Sequence, residues 1–195
     1  MTLTAALIAG GLSRRMGTDK AALMISGEPL WARQLRLIRS LAPQAVFVSA
    51  RSVPAWLPAD VKAVLDQPPS RGPLSGLSAS LQALRTTHLF ALAVDLPAMT
   101  ADHAAKLWSR ARPGAGVIPV NGDYFEPLCA IYPAEALPVA LELLAGEDFS
   151  LQSFAKTLAA RGLARTCRLT AEDIFCYLNA NTPGDLQSAE TKFRA

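Results

Sequence analysis

The sequence predicts a three-layer α/β/α fold with a mostly parallel sheet, and three observations carry that reading. Short apolar runs alternate with amphipathic stretches, the pattern of strand–helix units whose sheet is covered on both faces. Residues with chemical character fall just after the apolar runs, where open α/β sheets hold their ligands. No internal repeat, low-complexity tract or long linker divides the chain, so residues 1–195 read as one domain.

Taken in order, Leu3–Ile8 is an apolar run of strand length. Trp31, Leu35 and Ile38 then recur at helical spacing, followed by a strand over Ala45–Ser49 and another over Val61–Leu65. Leu77, Leu81 and Leu84 mark a second helix, and Leu89–Val94 a fourth strand. Thr100 suits the cap of a helix carrying Ala104, Leu107, Trp108 and Ala111 on one stripe. Gly116–Val120 and Leu128–Tyr132 complete the strands. Ser150 can cap a helix with Leu151, Phe154 and Leu158 on its apolar face, and Thr182 can cap a last helix with Pro183 at its first position and Asp185 in its first turn. Trp31, Trp56 and Trp108 are assigned to packing.

Composition narrows the function. Hydrophobic residues make up 51% of the chain and charged ones 18%, which favours a well-buried globular protein over disorder. A net charge of +3 with no run of Lys or Arg gives no footing for nucleic-acid binding. Cys129, Cys167 and Cys176 form no C-x-x-C pair and read as reduced thiols of a cytoplasmic protein. His88 and His103 are too few for an imidazole-rich metal centre and are given ordinary surface or helix-end roles. No apolar stretch reaches the ~20 residues of a membrane span, and no basic leader precedes the first apolar run, so neither a membrane nor a signal peptide is expected.

The segment Gly10-Gly11-Leu12-Ser13-Arg14-Arg15-Met16-Gly17-Thr18-Asp19-Lys20 sits directly after the first strand. Consecutive glycines let backbone N–H groups approach an anion, and Arg15 and Lys20 add mobile positive charge. This suits a nucleoside triphosphate. The spacing fits neither a Walker A loop nor a G-x-G-x-x-G fingerprint, and by itself the loop is equally compatible with a plain strand-to-helix turn. Asp95 follows the fourth strand and precedes Leu96-Pro97; a carboxylate delivered there can take Mg²⁺, which accepts one or two carboxylates and fills its octahedron with phosphate and water. Asp66 follows the third strand, either as a turn-former or as a contact to the nucleotide. Arg71-Gly72-Pro73-Leu74-Ser75-Gly76 is a loop leading into a helix, able to offer backbone groups to a base or an anion.

Together these pieces resemble the molybdenum cofactor guanylyltransferase family within the wider group of MobA-like nucleotidyltransferases. The resemblance is carried by Ile8-Ala9-Gly10-Gly11, Arg15-Met16-Gly17, Asp19-Lys20, Gly27-Glu28-Pro29-Leu30, Asp66, Gly72-Pro73-Leu74-Ser75-Gly76, Asp95-Leu96-Pro97, Glu126-Pro127-Leu128, Asn179 and Asn181-Thr182-Pro183, in family order along almost the whole chain. It implies a Rossmann-like nucleotidyltransferase fold. It also implies that Ile8, Ala9, Gly10 and Gly11 hold the nucleotide through the backbone, that Lys20 and Arg15 bind its phosphates, and that Asp66 contacts it. Asp95 would hold a catalytic Mg²⁺, and Asn179 and Asn181 would lie near the second substrate. Ser49 departs from the pattern, standing where guanylyltransferases often carry Asn.

The resemblance further implies GTP and molybdopterin as partners, with molybdoenzyme maturation proteins beyond them, and a monomer or weak homo-oligomer in the cytoplasm. Such a reaction needs no activated Ser, Cys or His, because the acceptor brings a phosphate oxygen as nucleophile. Three alternatives stay open from the sequence: CMP transfer to the same pterin, nucleotidyl transfer to a sugar phosphate, and a nucleotide-binding accessory protein without turnover. Retention of Arg15, Lys20 and Asp95 together speaks for turnover.

Overall fold

The computed structural model describes residues 1–10, 20–66 and 69–180. Strand β1 (Leu3–Ile8) is buried along its whole length. The chain resumes with a 3₁₀ turn at Lys20–Ala22 and a two-strand ribbon, β2 (Met24–Ile25) with β3 (Glu28–Pro29), before α1 (Leu30–Ser40). Strands β4 (Ala45–Ala50) and β5 (Lys62–Leu65) precede α2 (Pro73–Gln82). Then come β6 (His88–Ala93), α3 (Ala101–Arg110), β7 (Gly116–Asn121), β8 (Tyr124–Phe125) and β9 (Cys129–Pro133). The described chain closes with α4 (Leu137–Ala145), α5 (Leu151–Ala160), β10 (Ala164–Arg168), the short α6 (Ala171–Ile174) and a 3₁₀ turn at Phe175–Tyr177.

One sheet organises these elements, in the order β10-β7-β9-β6-β1-β4-β5 with β8 paired to β7. The pairs β1–β4, β1–β6, β4–β5 and β10–β7 are parallel, whereas β9 runs against both neighbours. Leu30, Leu35, Ile38 and Leu107 bring α1 and α3 onto one face. Leu74, Leu77, Leu81, Val139, Phe154 and Leu158 bring α2, α4 and α5 onto the other. The α/β/α layering read from the sequence is the observed one.

Local signals hold where they rest on caps. Thr100 accepts a hydrogen bond from His103 N–H at 3.2 Å, and Ser150 accepts one from Ser153 N–H at 3.1 Å. Each satisfies an otherwise orphaned donor of a first helical turn. Trp31 stacks on Trp56, with ring centroids 5.2 Å apart, in keeping with a packing role. The cap expected at Thr182 lies outside the described residues. Leu84 and Ala111 fall just beyond the ends of α2 and α3, although both are buried.

The surface reading of the histidines is corrected. Both are buried, because each ring nitrogen finds a partner. His88 lies 2.9 Å from Thr87 Oγ1 and 3.0 Å from the carbonyl oxygen of Arg112. His103 does sit at a helix end, in the first turn of α3, but there its ring lies between Asp173, at 3.1 Å, and the Tyr177 hydroxyl, at 2.7 Å. Burial pushes its pKa down, against the opposing pull of Asp173. The three cysteines are free thiols, and no described helix is long and apolar enough to cross a membrane.

Candidate active site

A cavity of about 330 Å³ opens at the carboxyl edge of β1, β4, β5 and β6. The strand register brings its walls together. Ile8 is paired with Ser49 on one side and Ala93 on the other, and Ser49 is paired with Val64. The chain leaving each strand therefore emerges at one level. Ile8, Ala9 and Gly10 come from β1 and its exit, Asp66 from the exit of β5, and Asp95 from just past β6. Lys20 closes one side, and Gly72, Pro73 and Gly76 bring in the start of α2.

Backbone hydrogen bonds fix this rim. Ala9 N–H donates to Ser49 O at 2.8 Å, Asp66 N–H to Ala50 O at 3.1 Å, and Val94 N–H to Ile8 O at 3.2 Å. Ala9's N–H is thus committed to the sheet, which leaves its carbonyl as the group it can present to a ligand. Gly72, at φ +77°, takes a conformation that favours glycine and turns the chain into α2, where Pro73 occupies the first turn. Arg71 N–H donates to Ser75 Oγ at 2.8 Å, tightening the same turn.

The charges are arranged unequally. Lys20 Nζ lies 3.7 Å from Asp95 Oδ2, with side chains 24% and 25% exposed. Burial pushes the Asp95 carboxyl above its ordinary value, and Lys20 pulls it back only in part. Burial likewise raises Asp66, opposed by the Ser70 hydroxyl, which donates to Oδ2 at 2.9 Å, and by the charge of Arg51. Both carboxylates are held where a cationic or hydrogen-bond-donating ligand would relieve them.

Two further atoms point the same way. Ser49 Oγ and Asp66 Oδ1 are buried with no hydrogen-bond partner among the described residues. Leaving such a group unpaired costs ~1–3 kcal/mol. Both flank Gly76: a Cβ added there would stand 2.5 Å from Ser49 Oγ and 3.1 Å from Asp66 Oδ1. Gly76→Ala should therefore displace the two polar groups, and nucleoside triphosphate affinity should fall about tenfold with a loss of melting temperature, measured by calorimetric titration and thermal unfolding. Unchanged affinity would show that the two side chains face no ligand.

Of the predicted site residues, the cavity gathers Ile8, Ala9, Gly10, Lys20, Asp66 and Asp95. Gly11, Arg15 and Asn181 lie outside the described residues. Asn179 is exposed and does not line this cavity, but its neighbour Ala180 donates its N–H to Asp95 O at 2.9 Å, so the segment reaches the Asp95 turn. Gly72, Pro73 and Gly76, from the loop read in the sequence as able to meet a base or an anion, line the cavity as well. Ser49, Arg51 and Leu128 also line it, and the sequence assigns none of them a ligand contact. Ser49 is the fifth residue of β4, which runs on to Ala50, one residue past the predicted end.

Comparison with known proteins bears on this geometry. Residues 5–174 match the model of the MobA-like NTP transferase domain. The chain belongs to that family. Among its MobA-like relatives, a protein named "Probable molybdenum cofactor guanylyltransferase" from Opitutus terrae is 37% identical over 186 residues, covering 94% of this chain and 92% of that one. A molybdenum cofactor guanylyltransferase of Cereibacter sphaeroides is 36% identical, covering 100% of this chain and 98% of its own. In structure, the chain superposes on molybdopterin-guanine dinucleotide biosynthesis protein A from Archaeoglobus fulgidus with a TM-score of 0.75 at 21% identity, over 98% of both chains. That likeness places this MobA-like chain in the same α/β fold.

Proposed function

We propose that this MobA-like protein transfers GMP from GTP to the terminal phosphate of molybdopterin, releasing pyrophosphate and forming the guanine dinucleotide form of the cofactor. The observation that carries the reading is the single cavity edge on which Gly10, Lys20, Asp66 and Asp95 meet. The names of its full-length relatives supply the nucleotide and the acceptor.

The residues divide the work by chemistry. Lys20, with Arg15 from the glycine-rich loop, binds the triphosphate. Asp66 contacts the nucleoside, and its unpartnered oxygen accepts a donor from it. Asn179 and Asn181 bind the second substrate. The acceptor phosphate oxygen is aligned with the α-phosphorus, so positioning and charge stabilisation carry the rate without a protein nucleophile.

Asp95 fits a divalent cation, and Mg²⁺ in particular. It offers one partly exposed carboxylate on the cavity wall, and among the described residues no group of three or more His, Cys, Asp or Glu forms an all-protein cage. That donor set suits Mg²⁺, which takes one or two carboxylates and completes its shell with phosphate oxygens and water. When bound, Mg²⁺ supplies charge neutralisation at the α-phosphate and the departing pyrophosphate.

Guanine offers N1–H and N2–H₂ donors beside an O6 acceptor, a match for a wall of loop carbonyls and unpartnered oxygens such as Asp66 Oδ1 and Ser49 Oγ. A base lacking those donors leaves buried acceptors unpaired, at ~1–3 kcal/mol each. GTP should therefore bind about tenfold or more tightly than CTP or ATP in competition at fixed Mg²⁺. Tightest binding by CTP would overturn the guanylyl assignment and leave the phosphate chemistry standing.

A further inference from the structure

The turn that carries Asp95 is held by three hydrogen bonds from outside it. Asp95 O accepts the Ala180 N–H at 2.9 Å, Leu96 O accepts Gln34 Nε2 at 2.5 Å, and Pro97 O accepts Arg33 Nε at 2.9 Å. Three successive carbonyls are thus tied to elements more than sixty residues away in sequence, two of them to adjacent residues of α1. Pro97 has no N–H to anchor the turn through the sheet, so these side chains replace the ladder that ends at Val94.

Gln34 is the unusual member. It is fully buried on the face of α1 that otherwise presents Leu30, Leu35, Leu37 and Ile38 to the core. Packing alone calls for an aliphatic side chain at that position. Its orientation is fixed by its partner: Leu96 O can only accept, so the amide must present Nε2 to it. Oε1 is then left buried with no partner among the described residues. An amide half of whose polar character goes unused is kept for the other half, the bond to Leu96 O.

We propose that Gln34 is a positioning residue for the metal-binding carboxylate, setting Asp95 through the Leu96 carbonyl with Arg33 as its auxiliary on Pro97. This rests on the reading of Asp95 as the cation ligand. Groups that orient a metal ligand from behind typically contribute 10–100-fold to metal affinity or activity, because a carboxylate displaced by a fraction of an ångström loses its geometry toward the ion. Gln34 touches neither substrate nor ion and acts through the backbone of its neighbour.

The test uses the full chain with a non-hydrolysable GTP analogue and reads Mn²⁺ binding by electron paramagnetic resonance, with analogue affinity in the absence of metal and melting temperature recorded beside it. Gln34→Met keeps the volume and removes the donor. Its Mn²⁺ affinity should fall about 10-fold or more, with metal-free analogue affinity within twofold of wild type. Arg33→Met, at a part-buried position, should weaken Mn²⁺ several-fold in the same direction. Gln34→Met binding Mn²⁺ as tightly as wild type overturns the proposal whatever its melting temperature. Should that variant fail to fold, wild-type Mn²⁺ affinity in Arg33→Met overturns it instead. If wild type and Asp95→Asn bind Mn²⁺ alike, Asp95 is not the ligand: the metal reading itself fails and this inference with it, an outcome visible before any Gln34 variant is made.

Discussion

Asp95→Asn should lower turnover about a thousandfold or more while the protein stays folded. The substitution keeps the shape of the side chain and the backbone bond from Ala180, and removes the charge that would hold the cation. Burial raises the wild-type carboxyl above its ordinary value, so proton and metal compete for it at a higher pH than for an exposed aspartate. Cation binding to the wild type should accordingly weaken as pH falls through that raised pKa, at a higher pH than for an exposed aspartate. For the apo protein the sign on stability is opposite: the native state binds the proton more tightly than the unfolded chain, so Asp95 favours folding most below its unfolded pKa, and that contribution is lost as pH rises through the raised value. Asparagine, which carries no charge to desolvate, should leave the melting temperature at neutral pH equal to or above that of wild type. Wild-type turnover in this variant would remove Asp95 from the mechanism.

The second large effect is expected at Lys20. Lys20→Ala should cost about a hundredfold in kcat/KM for the nucleotide and weaken triphosphate binding. The ammonium stands at the cavity mouth 3.7 Å from Asp95, where it can meet phosphate oxygens without leaving the carboxylate behind. Burial outweighs the pull of Lys20 at the Asp95 carboxyl, so the pair adds little net stability. The melting temperature should move by only about 2 °C. A large stability loss with unchanged affinity would assign Lys20 to structure.

Much of this was legible in the sequence, and the reasons differ by element. The central strands could be found because each is a short apolar run, buried on both faces and ended by a turn residue. The limits differ by one residue at β4, β5, β6, β7 and β9, since apolar character and strand pairing do not end at the same residue: β7 runs on to polar Asn121, paired with Tyr124 of β8. Strand β10 was missed because, in Ala164–Arg168, only Ala164 is buried; an edge strand of arginines and threonine reads as surface. Helix α4 was missed because Leu137–Ala145 is apolar nearly all round and shows no stripe. The reversed direction of β9 leaves no trace in its residues.

At the site, the residues that follow strands were found because position alone marks them: Gly10, Asp66 and Asp95. Those whose meaning depends on a partner distant in sequence were not. In the sequence Ser49 stands out only as a departure from the family pattern; the fold shows its hydroxyl buried beside Gly76. Gln34 is one polar residue among leucines until Leu96 O is found 2.5 Å from its amide. The burial of His103, read as an ordinary surface or helix-end residue, escapes the sequence because nothing there shows Asp173 and Tyr177 folding back onto its ring.

The most direct test of the central claim is the reaction itself: the full chain with Mg²⁺, molybdopterin and, in separate reactions, GTP, CTP or ATP, followed by mass spectrometry of the pterin product and by pyrophosphate release. The proposed function predicts the guanine dinucleotide and one pyrophosphate for each pterin converted, with GTP the preferred donor and the product lost in Asp95→Asn. Nucleotide binding with no pterin product and no pyrophosphate from any of the three would contradict it.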